Sequence, residues 1–436
     1  MIGFVKNLAP VVLYVGGIFL ILRALTGKTE WLLWFVIALL PLRNIIEKLH
    51  MYPLGKDLVD IFILILLVGT VVKNFTDKQT ISNKSPINTI VVIFIGYTFL
   101  SLLQGSFHLN SFKLFDLMDP RVQAWKNLCA LPALYFITLS NIRTKKHVWI
   151  TVVVMCVSMV LMNYYLTQQI AWYSSIVSRK KIHGTFSYLG PNEVAAFYAQ
   201  YTVLLLSLCF MMKRGKMKMM LYGLMFWNSF IVMFLFSRAS YGAFAIGLFF
   251  LFAIKKRVLL IPLILVVFFW QVALPDKVQD RITETANEYG ELDRSSEARL
   301  VLWQHALDLF SESPVIGVGY RTFRYSSFKH MDTHNTYLRT LAEQGLVGIF
   351  IFLFLLFIFF VQGVKLFSGG EDGESRGLGL GFMMCVIVLM VNNFFGDRWS
   401  YIEVSSNLWV FAALVSRLII IDIDPKDNKA VAGRRR

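Results

Sequence analysis

Apolar runs of near membrane-spanning length recur along almost the whole chain, and no other feature narrows its fold so far. Spans fall near Leu8 to Leu25, Trp31 to Leu42, Asp57 to Val72, Ile87 to Leu103, Trp125 to Ser140 and His147 to Leu166. They resume at Asn192 to Met212, Met217 to Phe236, Ala239 to Ile254, Val258 to Leu274, Gly345 to Phe367, Gly377 to Phe395 and Glu403 to Ile421. A run of about 20 apolar residues crosses a hydrocarbon core of about 30 Å as a helix, the one open-ended structure that satisfies its own backbone there. The charged share of 16% is well below the roughly one quarter usual in soluble domains. The sequence therefore predicts an all-α polytopic integral membrane protein with about 12–13 spans. The second run is short enough to be re-entrant, and the side of the N-terminus depends on whether it crosses.

Between the tenth run and the next lies one polar stretch, Pro275 to Arg339. The expected organisation is a transmembrane bundle over 1–274, a large external loop over 275–340, C-terminal spans over 341–422 and a basic tail over 423–436. Short basic loops stay cytoplasmic. Lys213 to Lys218, Lys255 to Arg257, Arg143 to Lys146 and Arg434 to Arg436 fall on one side, which puts the polar loop, the 168–190 loop and the 395–403 loop on the other. The formal charge of +16 thus sets orientation, and no basic and aromatic interleaving speaks for nucleic acid. All four cysteines lie in apolar runs without metal-ligand spacing and fit a packing role.

Candidate chemistry gathers on the loop side. Arg238, in FLFSRASYGAF, sits between two apolar runs with almost no polar loop around it. A charge there needs a partner or an anionic substrate, although a hairpin arginine also snorkels to headgroups. His334 stands where a loop enters a helical pattern carrying Leu338, Leu341 and Ala342, with Thr333 or Asn335 as the cap. A histidine at a helix N-terminus is kept neutral by the dipole and can accept a proton; the plain alternative is a solvated loop histidine.

Arg294, Arg299, Arg321, Arg324 and Arg339 share the loop. Guanidinium forks onto phosphate as lysine cannot, yet most of these charges fit simple solvation. Arg299 opens an amphipathic patch with Leu302, Trp303, Ala306, Leu307 and Phe310 on one side, the pattern of a helix lying on a bilayer. Arg321 follows Gly317 to Gly319, glycines that permit close backbone approach to a ligand. A third patch, SRKKIHGTFSYLGPNEVAAF, carries Arg179 and Lys181 ahead of Pro191 and Asn192; a headgroup-binding turn explains it as well as a substrate role does. Asp116 and Asp119 are the one close acidic pair ahead of a span on the external side, too little for an essential metal.

In order and spacing, FSRASYGAF, ARLVLWQHALDLFSESPVIGVGYRTF and THNTYLRTLAEQGLVGIFIF resemble the signature region of the bacterial O-antigen ligase and polymerase superfamily. GTFSYLGPNEVAAF is similar to that family's Gly-Thr-Phe and Pro-Asn segment, with Ser187, Tyr188 and Leu189 less typical. The likeness covers roughly Gly184 to Phe350. It implies a GT-C-like, metal-independent, inverting glycosyltransferase without cofactor, working at the periplasmic face of the bacterial inner membrane. Its donor would be an undecaprenyl-diphosphate-linked glycan and its acceptor a hydroxyl of lipid A core, of a growing glycan or of a protein.

By the same resemblance His334 is the base and Arg238 the membrane arginine of the catalytic site. Arg299, Arg321, Asn335, Asn192, Arg179, Lys181 and Arg324 are the expected substrate-binding residues. The rival classes are a flippase or transporter, for which an internal repeat is expected, and an envelope assembly scaffold.

Overall fold

The computed structural model describes residues 2–76, 85–111, 116, 118–173, 190–283, 294–327 and 330–424, and every regular element among them is a helix. In chain order these are α1 (Ile2–Leu25), α2 (Thr29–Leu39), α3 (Arg43–Leu49), α4 (Leu58–Thr76), α5 (Pro86–His108), α6 (Pro120–Asn141) and α7 (Lys145–Tyr173). Then come α8 (Pro191–Met211), α9 (Lys216–Phe234), α10 (Arg238–Lys255), α11 (Leu260–Phe268), α12 (Trp270–Ala273), α13 (Asp276–Thr283), α14 (Arg294–Glu312) and α15 (Phe323–Ser326). The chain finishes with α16 (Thr336–Gly369), α17 (Gly373–Asn392) and α18 (Ile402–Asp422).

Nine helices among the described residues are long and apolar enough to cross a membrane: α4, α5, α7 to α10 and α16 to α18. Pro10–Leu25, Thr29–Leu39 and Arg257–Phe268 are shorter apolar helices. Together with α6 they fall on every span placed from the sequence. Two spans differ in form. The run Val258 to Leu274, expected as one helix, breaks at Phe269 into α11 and α12, neither of which buries a residue. The span expected from Gly345 instead begins at Thr336, because Gly345 bends the helix with a φ of 63° and lets the polar turns 336–344 join the apolar ones. A residue with a Cβ resists that conformation.

The two ends of the bundle are pinned differently. At one end Lys145 Nζ holds Glu371 at 2.7 Å, Asp372 at 3.1 Å and Asp422 at 2.8 Å, joining the starts of α7 and α17 to the end of α18. The basic turns at Arg143, Lys213 and Lys255 close hairpins at this end. At the other, the loop face, α16 begins and α17 ends. α8, α17 and α18 form the centre, with Tyr198, Tyr201, Cys385, Phe411 and Trp409 buried.

On α14 the apolar residues that pack inward differ from the side read from the sequence. Leu302, Ala306 and Leu309, spaced one helical turn apart, pack on Val318, Phe323 and Ala342 of the chain itself, while Leu307, placed on the apolar side from the sequence, is 43% exposed. Protein offers this stripe a closer-packed partner than lipid, and Leu309 completes it.

Candidate active site

The loop face is organised by the end of α17. Ser240, in the first turn of α10, donates to Asn392 Oδ1 at 3.2 Å and accepts from Ser237 at 3.1 Å. One residue on, the Asn393 carbonyl accepts from Thr336 N at 2.9 Å, and its side-chain oxygen accepts from Thr336 Oγ1 at 3.1 Å and Arg398 N at 3.0 Å. The turn that carries Arg238 and the loop that carries His334 are thereby fastened to consecutive residues. Arg238 is half-buried at the start of α10, and Arg281 of α13 donates to the Phe236 carbonyl at 3.4 Å beside it.

His334 precedes the Asn335 cap of α16, whose Oδ1 accepts from Tyr337 N at 3.0 Å and Leu338 N at 3.1 Å. Asn335, expected to bind substrate, is buried and commits that oxygen to the helix start. Thr333 bonds Asn335 through both its hydroxyl functions, and Trp303 of α14 donates to the Thr333 carbonyl at 3.0 Å. The resulting turn holds His334 in the left-handed region with a φ of 51° and leaves the residue exposed to solvent on its outer side. Crowding by the surrounding loop and helices, which desolvates the imidazole, pulls its pKa below the ordinary histidine value. The charges of Arg299 and Arg398 act with that, and Asp332 and Glu193 oppose it. The causes are crowding and neighbouring charges, and the ring can accept a proton at neutral pH.

Behind His334 lies an ion-pair network. Arg339 Nη1 meets Asp397 Oδ2 at 2.5 Å and Asp332 Oδ2 at 3.2 Å, and Nη2 donates to Ser400 Oγ at 3.1 Å. Arg321 stands looser, 3.9 Å from Asp332 and 3.8 Å from Asp397. Asp397 also accepts from the backbone of Trp399 and Ser400. Burial alone would raise its carboxyl pKa, but Arg339, Arg321 and these bonds hold it well below the carboxylate range. In a second pair Arg398 Nη1 reaches Glu193 Oε1 at 2.7 Å, linking the α17–α18 loop to the first turn of α8.

The Gly317 to Gly319 stretch, read as an approach to ligand, instead approaches the protein. Val318 N donates to the Ala342 carbonyl at 3.0 Å, Gly319 N to Glu343 at 2.7 Å and Tyr320 N to Ser101 at 2.9 Å. A Cβ on Gly319 would lie 2.1 Å from Gly105, so α5 and the loop touch backbone to backbone.

Of the remaining candidates, Arg299 is half-buried on α14 and its charge reaches His334. Asn192 is half-buried next to Glu193. Arg324 is exposed and donates to the His330 carbonyl at 2.9 Å within its own loop. Arg179 and Lys181 lie outside the described residues. Asp119 caps α6 and is gripped by Arg121 at 3.1 and 3.3 Å, which commits it within the chain. Glu193, Asp397 and Arg398 escaped the sequence reading; the one hint was an Asp-Arg pair in a short loop between two apolar runs.

Body and loop face together define a polytopic membrane protein whose polar machinery is gathered at one end of a helical bundle. Residues 223–353 match the O-antigen ligase family, a stretch that contains Arg238, Arg299, Arg321 and His334 and makes up less than a third of the chain; this part of the chain is similar to the O-antigen ligase and polymerase superfamily. The chain is also 29% identical over 111 residues to the exopolysaccharide production protein ExoQ of Rhizobium meliloti (strain 1021). That match takes in 22% of this chain and 26% of the relative, so it spans about a quarter of the relative's length.

Proposed function

We propose that the protein is an inverting, metal-independent glycosyltransferase that moves a glycan from a polyprenyl diphosphate, undecaprenyl diphosphate by the family resemblance, to an acceptor hydroxyl. The reading rests on one observation above the others: the Arg238 turn and the His334 loop are bonded to neighbouring residues, Asn392 and Asn393, on one face of the bundle. His334 takes the proton of the acceptor hydroxyl while that oxygen attacks the anomeric carbon. The bond from that carbon to the diphosphate breaks, and its electron pair leaves on the phosphate oxygen. Arg238 and Arg299 meet the charge that develops there. Arg321 joins them, since its contacts to Asp332 and Asp397 are long enough to be exchanged for phosphate oxygens. The lipid tail lies along the apolar spans, and the working face is the periplasmic face of the inner membrane.

Similarity to an exopolysaccharide production protein favours chain elongation of a carrier-bound glycan over ligation to lipid A core or to protein. Reconstitution with a lipid-linked glycan tests this. Laddered products mark a polymerase, and transfer to lipid A core a ligase. His334→Ala is expected to abolish transfer while carrier binding survives, and Arg238→Ala to weaken carrier binding itself. Full turnover by His334→Ala, or a strict divalent requirement revealed by excess EDTA, would overturn the mechanism.

A further inference from the structure

We propose that Arg398 and Glu193, joined in a part-buried ion pair, are positioning residues for His334, setting with opposite signs how readily its imidazole takes a proton. The inference rests on His334 as the base and adds residues outside the 223–353 match.

Geometry ties the pair to the histidine. Asn393 Oδ1 accepts from Thr336 Oγ1, two residues beyond His334, and from Arg398 N, so one amide oxygen fixes both the start of α16 and the backbone of Arg398. Ser405 Oγ donates to the Arg398 carbonyl at 2.6 Å and fastens the loop from the α18 side. The Arg398 side chain is 4% exposed, and Nη1 is shared between Glu193 at 2.7 Å and the Asp397 carbonyl at 3.1 Å. Glu193 arrives on the first turn of α8, preceded by Pro191 at the helix start. A rigid frame therefore carries one cation and one anion to the edge of the His334 loop.

The charges that act on the imidazole come from four different elements: Asp332 on its own loop, Arg299 on α14, Arg398 on the α17–α18 loop and Glu193 on α8. Asp332 is itself balanced by Arg339 at 3.2 Å and Arg321 at 3.9 Å. In a partly desolvated site, a positive neighbour disfavours the imidazolium and a negative one favours it. Arg398 then keeps His334 ready to accept a proton. Glu193 limits how far that goes, so that the proton, once taken, is held through the transfer step.

The test uses the full chain in detergent or nanodiscs. Diethyl pyrocarbonate modifies the neutral imidazole, and its rate at His334 against pH, read by peptide mass spectrometry, reports the protonation midpoint without needing turnover. Arg398→Gln is expected to move the midpoint up by about half a pH unit or more, and Glu193→Gln to move it down by a similar amount. The double variant is expected to return near wild type, and Arg398→Lys to hold the wild-type midpoint. The acid limb of kcat/KM should move with the midpoint in each variant.

A merely structural pair would loosen the loop in the same way whichever partner is lost. Midpoints that move together, or not at all, overturn the proposal. Glu193, with a side chain 19% exposed, keeps the test decisive if Arg398→Gln does not fold: an unchanged or raised midpoint in Glu193→Gln is refutation enough. Full transfer by His334→Ala is the separate result that removes the base, and the modification midpoints still decide whether the pair tunes the ring.

Discussion

Replacing Asp397 by Asn removes one negative charge from the centre of the Arg339 network while leaving an oxygen for the two backbone donors of Trp399 and Ser400. The side chains of Arg339 and Asp397 are 7% and 5% exposed and 2.5 Å apart, so little solvent screens them. Breaking a buried pair by removing one partner costs about 3–5 kcal/mol, because the other charge stays behind. Here Asp332, 24% exposed and 3.2 Å away, still faces Arg339, which places the expected loss near the lower figure, about 3 kcal/mol. Arg339→Gln should cost about the same, and the double variant little more than either single change, a coupling of about 2 kcal/mol or more. Thermal unfolding of the purified protein in one detergent checks all three. Additive single effects, or an Asp397→Asn variant as stable as wild type, would refute the reasoning. The carboxyl also carries a pH signature. Its native pKa lies below the unfolded value, so the stabilisation is complete above the ordinary carboxylate range and is lost as pH falls through the native value.

Asn335→Ala removes the α16 cap and should cost about 1 kcal/mol, with a larger fall in transfer than in carrier binding, because the His334 turn loosens; parallel transfer and binding assays check it. Gly319→Ala puts a methyl 2.1 Å from the Gly105 backbone at a φ of 114° and should lower stability by more than about 2 kcal/mol, read as early unfolding or poor yield, and a wild-type melting curve would contradict the packing described. Because His334 is held below the ordinary histidine value, transfer should persist as pH falls through that ordinary value and fail only lower. A rate profile with its acid limb above about pH 7 would count against it.

The spans were legible because the bilayer imposes a length and a polarity that any apolar run either meets or fails. The cap of α16 was legible as Thr333 or Asn335, since capping is local and its residue types are few, and the structure selects Asn335. The register of α14 was misjudged: the periodic stripe was visible, but not whether lipid or Ala342 would cover it. Gly317 to Gly319 advertised close approach without naming what approached. Asp397 and Arg339 lie 58 positions apart, and Arg398 and Glu193 lie 205 apart. Only the packing of α8 and α16 to α18 brings such charges together, and no local pattern encodes it.

α14 spends its apolar stripe on the protein, and Trp303 ties it to the turn holding the histidine. On the proposed reading, the position of His334 relative to the helical bundle is therefore set by side-chain packing within the protein. With a lipid-borne donor, as proposed, hydrophobic mismatch would then act first on how the glycan is presented and less on the spacing of the groups that meet it.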